Sequence, residues 1–333
     1  MPGGLTELTE ITTALGMLSP TLGEALTSRP SQLANVSEEA WDRLRETHRE
    51  SSHTRSFETS FANGQSFLLA TDGLRGRMPQ RVEWKGPHRP PGDDVIPADL
   101  RIDHVFLVSC KYLSDILLNP GPQRLFERLL VGEERSNANW FETTAPSEFQ
   151  SLYVAAQSYA PSPSFPAAVS DLTSLQQRAL KQTFSARAWP EPLRKPWSDL
   201  CGAVALESTR RWTAAMSTPR DQLRLLWRLL RITTATYFVL GAAGADHLRI
   251  RVDSAWDWMQ KYELLRFDVS PRKAGQPEVA WTAIVRRRSN RSEVSVMGHV
   301  EIRWSHGRFL GSPESKVYLD TPHSLVPGYN ALV

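Results

Sequence analysis

Ile96-Pro97-Ala98-Asp99-Leu100-Arg101-Ile102-Asp103-His104-Val105-Phe106-Leu107-Val108-Ser109-Cys110-Lys111 is the stretch whose reading decides the fold. Two runs, 99–102 and 105–111, flank a polar pair, and side chains along a strand alternate between faces. In the second run Phe106, Val108 and Cys110 share one face, and Val105, Leu107, Ser109 and Lys111 share the other. If Asp103-His104 lie in a hairpin loop with an odd number of residues, position 99 pairs near 107. Leu100 and Ile102 then join the apolar face, and Asp99 looks the same way as Ser109 and Lys111. One register sorts apolar from polar in both strands.

Upstream of this hairpin, Ser37-Glu38-Glu39 before Trp41, Leu44 and Arg45 reads as an N-capped helix start with acids in its first turn. Residues 55–70 carry Phe57, Phe61 and Phe67-Leu68 at helical spacing. Arg81-Val82-Glu83-Trp84-Lys85 alternates as a half-buried strand does. The first thirty-five residues, with their Pro, Gly, Ser and Thr, are expected to form a loosely docked helical arm. Downstream, a helix is predicted from near Gln123, past Asn119-Pro120-Gly121-Pro122. The proline-rich stretches 158–166 and 189–196 read as surface connections or a soft boundary. Thr218-Pro219-Arg220-Asp221 starts a helix whose buried stripe is Leu223, Leu225-Leu226, Leu229 and Leu230.

From Tyr237 the pattern turns to strands at 237–240, 248–252, 264–269 and 316–319, with a long hairpin from 279–286 and 294–304. Helices, strands, helices and strands in that order predict an α/β fold, a mixed central sheet flanked by helices with a basic, β-rich C-terminal extension. The expected organisation is a helical arm over 1–50, an α/β core over 51–200, and a helix plus β-rich basic region over 201–333 packed on that core.

Composition narrows the classes. A hydrophobic fraction of 41% and a charged fraction of 23% are those of a globular chain with a sizeable core. The longest apolar run, Tyr237-Phe238-Val239-Leu240, is far too short to span a bilayer, and no signal-peptide pattern opens the chain. No membrane association is therefore expected. The two cysteines, Cys110 and Cys201, lack metal-ligand spacing, so a reducing, cytoplasmic location is expected, without a zinc site or a disulfide framework. From Cys201 onward 19 Lys and Arg stand against 12 Asp and Glu, and before it 20 stand against 24. The basic C-terminal third suggests a polyanion contact on one side, although a chance imbalance on a solvated surface has the same arithmetic.

Asp99 and Lys111 are the residues with chemistry to offer. A carboxylate is a hard ligand for Mg²⁺, which keeps several waters and binds phosphate. Such an ion polarises a phosphoryl group and generates hydroxide from bound water, and an ammonium beside it can orient that water and counter the developing charge. A plain ion pair on a half-exposed hairpin would use the same two residues.

This segment resembles the restriction-endonuclease-like superfamily, named PD-(D/E)xK for a Pro-Asp that opens one strand and an acid-any-Lys triplet that ends the next. Asp99 follows Pro97 by two residues, and Ser109-Cys110-Lys111 matches the triplet with serine in place of the acid, a departure known in some branches of the superfamily. The resemblance implies a nuclease-like core over 51–200, built in the order helix–strand–strand–strand–helix. It implies a metal, Mg²⁺ or Mn²⁺, leaning on Asp99, the backbone carbonyl of Cys110, phosphate and water. A helical acid would complete the site, with Glu58 first choice and Glu83 second, while Lys111 serves the attacking water and Ser109 supports by hydrogen bonding. The implied activity is cleavage of double-stranded DNA, in restriction or phage defence, by a homodimer or with a partner protein of a defence system. A non-catalytic nucleic-acid-binding or scaffold protein on a degenerate nuclease fold is the alternative, and the missing acid at Ser109 is its argument.

Further candidates lie outside that segment. Arg286, Arg287, Arg288 and Arg291 fall at the expected hairpin tip and could grip phosphates, or serve solubility alone. Arg303, His306 and Arg308 could line a substrate cleft, with Gly307 permitting close backbone approach. Equally, Trp304 and Phe309 could be core and those polar residues merely solvated. Ser114 could touch phosphate next to the proposed site. Pro313-Glu314-Ser315-Lys316 is a second acid-any-Lys triplet, but it precedes a strand rather than ending one. Most of the eleven tryptophans are expected in the core. No phosphate-binding glycine loop or dinucleotide fingerprint occurs.

Overall fold

The computed structural model describes residues 3–86, 98–112, 116–130, 139–162, 164–244, 246–273 and 275–333. The chain opens with α1 (Gly3–Gly16), α2 (Leu22–Ser28), β1 (Leu33–Ala34), α3 (Glu38–Arg49) and α4 (Thr54–Leu69), followed by β2 (Val82–Trp84), β3 (Leu100–Ile102) and β4 (Phe106–Lys111). It continues through β5 (Ile116–Leu118), α5 (Pro122–Phe126), α6 (Trp140–Thr144), α7 (Pro146–Tyr159), α8 (Ser174–Thr183), α9 (Glu191–Ala215) and α10 (Pro219–Leu229). Then come β6 (Tyr237–Ala243), β7 (Asp246–Val252), α11 (Ala255–Lys261), β8 (Tyr262–Lys273), β9 (Pro277–Arg287), β10 (Glu293–Arg303), β11 (Glu314–Leu319) and β12 (Tyr329–Ala331). Among the described residues no helix is long and apolar enough to cross a membrane.

The elements sort into two compact units, each discontinuous in sequence. One holds Met1–Asp115, Arg231–Tyr262 and His323–Val333, and the other Ile116–Leu230 and Glu263–Pro322. The chain is thus α/β with mixed sheet and flanking helices, but not the three consecutive stretches 1–50, 51–200 and 201–333. Strand pairing crosses those expected boundaries: β4 pairs in parallel with β6, 130 residues later from Val108↔Phe238.

In the first unit the sheet runs β1-β2-β3-β4-β6-β7-β12. Pairings β1–β2 and β4–β6 are parallel, and the others antiparallel. Leu100, Ile102, Val108, Phe238 and Leu240 pack from one face into a core with Ile11 and Leu15 of α1 and with Phe57, Phe61 and Phe67 of α4. Phe67 meets the edges of Phe106 and Phe238 at 5.7 and 5.0 Å between ring centroids.

The N-terminal segment is therefore part of the core and not a loose arm. Its periodicity is masked by buried threonines. Thr12 and Thr13 return their hydroxyl protons to the carbonyls of Leu8 and Thr9, so they behave as apolar residues inside the helix pair. Glycines set the spacing of that pair. A Cβ on Gly16 would lie 2.1 Å from the Phe61 carbonyl oxygen, and one on Gly64 2.1 Å from that of Thr13.

The element after β4 also departs from the expected order. β5 follows, not a helix of the same layer, and belongs to the second unit's sheet, β5-β11-β10-β9-β8. Residues 189–196 form no boundary, because α9 begins at Glu191 with Pro192 in its first turn and Pro196 inside it. Proline is tolerated in a first helical turn, where amides have no intrahelical acceptor. Eight of the eleven tryptophans are buried, as expected. Those of this unit lie in two aromatic clusters, one in which Phe267 stacks on Trp281 and meets Trp212 edge-on, and one in which Trp197 stacks on Trp304 and meets Trp189.

Candidate functional site

The β3–β4 hairpin turns through three residues, 103–105, and Leu100 stands opposite Val108. Asp103 and His104 take the left-handed conformation, at φ 48° and 61°. The Asp103 carboxylate accepts from the amides of Gln80 and Arg81 at 2.8 and 2.9 Å and pairs with Arg77 at 2.8 Å, tying the preceding turn to the hairpin. The register lies two residues further along β4 than a 99–107 pairing; the ladder ends at Leu100 opposite Val108, and the Asp99 amide donates to the Val108 carbonyl at 2.8 Å while its side chain reaches Ser109. The shift is two residues, so face parity is preserved and the expected sorting survives.

Asp99 terminates the β3 ladder with its side chain. Its Oδ2 accepts the Cys110 amide at 2.7 Å and the Ser109 hydroxyl at 3.2 Å. Asp99 is 7% exposed and Ser109 2%. In an extended strand the amide and carbonyl of one residue point to the same edge, so the Cys110 carbonyl is also directed to the side where Asp99 stands. The Cys110 thiol faces the apolar core, and its burial pushes its pKa well up, so this residue has only its main chain to offer the site. Lys111, half-buried, ends β4 on the same face as Ser109 and Asp99.

Of the two acids considered as partners, neither joins Asp99. Glu58 is exposed on α4, whose opposite side, Phe57, Phe61 and Phe67, covers the apolar face of the sheet. It therefore lies on the wrong layer, and its assignment to a metal is corrected. The helix phase that buries three phenylalanines necessarily turns position 58 outward. Glu83 shares the face of Asp99 on the adjacent strand, but Arg101, directly across from it, donates from Nε and Nη2 at 2.6 and 2.9 Å. Those bonds hold the Glu83 carboxyl below the usual range. Among the described residues no group of three or more His, Cys, Asp or Glu side chains is placed to hold a metal. Ser114 and Pro97 lie outside the described residues. A divalent ion would thus have one carboxylate and one carbonyl here, the low end of what Mg²⁺ uses when phosphate and water fill the remaining positions.

Sequence reading missed the network that anchors the end of β4. The Tyr112 hydroxyl bonds Thr13 at 2.7 Å and accepts from Asn63 at 3.3 Å. Asn63 also donates to the Gly241 carbonyl at 2.8 Å, and its Oδ1 accepts from Arg249 Nε at 2.8 Å and meets His247 Nδ1 at 3.0 Å. Burial, with Arg249 beside it, pushes the His247 pKa down. Gly241 is required by close approach, since a Cβ there would lie 2.0 Å from the Lys111 carbonyl oxygen. A glycine inside an apolar strand was the one available signal.

In the second unit, β9 and β10 form the expected hairpin. Arg287, Arg288 and Arg291 are exposed at its tip, where Arg291 is left-handed at φ 58°. Arg286 is not part of that exposed set. It lies across from Glu293, 3.3 Å away, with Glu263 at 3.8 Å. Arg308 is a structural residue as well: its guanidinium donates to the carbonyls of Phe184, Arg187 and Ala188 and sits 3.9 Å above the Trp189 ring. Arg303 pairs with Glu301 at 3.0 Å, and the exposed His306 lies 3.7 Å from Glu314.

The second triplet lies inside β11 and does not precede it. Its lysine, Lys316, is buried and bonded to Glu314 at 2.6 Å. Burial alone would raise the Glu314 carboxyl, but hydrogen bonds from Lys316, Ser305 and Asn119 hold it down to about 2. This pair is an internal ion pair of the sheet. No family model, no curated protein and no solved structure matches this chain.

Proposed function

We propose that this protein is a divalent-metal-dependent endonuclease acting on double-stranded DNA, with Asp99 and Lys111 as its working residues. The observation that carries the reading is one of register. A single antiparallel pairing puts the Asp99 carboxylate, the Ser109 hydroxyl and Lys111 on one face, where β3 begins and β4 ends.

In this reading the ion supplies charge to the scissile phosphate and a nucleophilic water at neutral pH. Asp99 and the Cys110 carbonyl hold it, and Ser109 fixes the carboxylate through its hydroxyl. The Lys111 ammonium orients the attacking water and stabilises charge building on the phosphate. Because the protein would offer such an ion few ligands, a DNA phosphate would have to complete the site, and ion binding is expected to depend on the duplex. Arg287, Arg288 and Arg291 would contact phosphates of a duplex without reading its sequence.

The test is conversion of supercoiled plasmid to nicked and linear forms in Mg²⁺ or Mn²⁺. Cutting should cease in Asp99→Asn and in Lys111→Ala and persist in Glu58→Gln. Absence of cutting by the wild-type protein in either metal would overturn the reading.

A second reading, a non-catalytic nucleic-acid-binding or scaffold protein, is favoured by one specific observation. The buried Asp99 carboxylate already closes a strand end by taking the Cys110 amide and the Ser109 hydroxyl. Duplex binding that survives Asp99→Asn with no cutting in any metal would select it.

A further inference from the structure

The second unit holds a cavity that the Asp99 site does not use. It is about 380 Å³, within the range of small-molecule sites, and its lining includes Trp189, Trp197 and Trp304. The same lining contributes Lys181, Arg187, Arg303 and Arg308 and not one acid. Gly307, at φ 116°, belongs to its wall, and a Cβ there would come 2.7 Å from Lys181 Cγ, so only glycine lets the two segments close.

Charge in this cavity is left uncompensated. Among the described residues only Arg303 of the four cations has a carboxylate, that of Glu301 at 3.0 Å. Arg308 is satisfied by three neutral carbonyls, and its partial burial lowers its pKa with no acid to restore it. Lys181 and Arg187 are exposed, and among the described residues neither has an ion-pair partner. The tryptophans form a continuous aromatic wall: Trp197 stacks on Trp304 at 5.8 Å with a 21° tilt and meets Trp189 at 5.3 Å; Trp189 and Trp197 are buried, with Arg308 over the Trp189 ring, and Trp304 is the partly exposed ring.

We propose that this cavity binds one nucleotide unit, its base against Trp304 and its phosphate against Lys181 and Arg187. An aromatic surface with excess positive charge fits a ligand that is planar and anionic at once. Every base has a π-face to stack, and ammonium and guanidinium groups make charge-assisted bonds to phosphate. An aliphatic carboxylate or an acidic peptide would use the cations and leave the aromatic surface idle. Arg308 is a positioning residue here, holding Trp189 and the 184–188 segment in place. The nucleotide arrives either free or as an unpaired residue of a strand, and the recognising chemistry is the same. This site stands apart from the metal-dependent reading and does not depend on it.

The experiment is fluorescence anisotropy of a 5′-fluorescein octathymidylate with the wild-type full chain in EDTA, so that no cutting intervenes. Saturable binding is expected, displaced by thymidine monophosphate at concentrations where inorganic phosphate does not compete. The double variant Lys181→Ala/Arg187→Ala changes exposed side chains only. It should weaken binding at least about tenfold and reduce the salt slope by about 0.7, for the loss of one phosphate contact to a single strand. Trp304→Leu should also cost about tenfold, the scale of one lost base–aromatic stack, with circular dichroism confirming its fold. Thymidine monophosphate binding as tightly as the octamer assigns the site to free nucleotide, and a much tighter octamer assigns it to a strand. No saturable binding, binding indifferent to the double variant, or phosphate competing as well as the nucleotide would each overturn the proposal. Loss of plasmid cutting in Asp99→Asn bears on the other site alone.

Discussion

Replacing Asp99 separates what this carboxylate does for the fold from what it does for chemistry. Asp99→Ala removes the acceptor of two buried donors, the Cys110 amide at 2.7 Å and the Ser109 hydroxyl at 3.2 Å. A buried donor left without its acceptor costs about 1–3 kcal/mol, and water entering the vacated space recovers part of that. The expected loss is about 3 kcal/mol. Asp99→Asn keeps an oxygen that can accept both bonds and gives up only the charge assistance, which roughly doubles a bond's strength, so its expected cost is about 1 kcal/mol. Urea unfolding gives these differences, and amide exchange of the peptide containing Cys110 reports them locally. A loss of about 3 kcal/mol at that clasp corresponds to exchange faster by about a hundredfold. Both variants should be inactive in plasmid cutting, the asparagine variant while remaining folded. The reasoning fails if alanine and asparagine cost the same, or if the Cys110 amide exchanges at the wild-type rate in Asp99→Ala. An asparagine variant that cuts at full rate would reduce Asp99 to a strand clasp.

Other consequences can be checked alongside. Gly64→Ala drives a methyl into the Thr13 carbonyl, backbone that cannot move aside without parting α1 from α4, so it should cost about 1–3 kcal/mol or more, read as a fall in melting temperature. Glu314 is held down to about 2 from an ordinary value of 4.5. Its contribution is therefore fully present above pH 4.5 and lost as pH falls toward 2, and Lys316→Met should flatten the stability profile across that window. Arg287→Ala/Arg288→Ala/Arg291→Ala should weaken duplex binding and reduce the salt slope by about 2.7 if each contacts one phosphate, with thermal stability unchanged. An unaltered slope would take the hairpin tip out of the DNA interface.

Alternation alone made the β3–β4 hairpin legible, because a strand's two faces are set by parity and Leu100, Ile102, Val108 and Cys110 leave one choice for the core. That parity also put Asp99, Ser109 and Lys111 on a common face, even though the observed register is shifted by two residues from a 99–107 pairing. The helix starts at Ser37 and Thr218 were readable for the same local reason, since a side-chain oxygen caps nearby amides and the signal spans a few residues. Position 58 was not readable this way. Its sequence distance from Asp99 is compatible with either layer, and only the phase of α4 against Phe106 and Phe238 turns it to solvent.

What the amino-acid order determined by itself was therefore local: strand faces, caps, the β9–β10 hairpin and the apolar character of most tryptophans. Tertiary structure alone decided which distant segments share a sheet, as when β6 joins β4 although 116–230, between them, belong to the other unit. It decided that α1 is core, through two glycines that match only when the helices meet, and that Arg286 and Arg308 are spoken for. The physical reason is that a residue's partners across space are chosen by packing and charge among segments far apart in the chain. Periodicity, which repeats over two to four residues, carries no record of that choice.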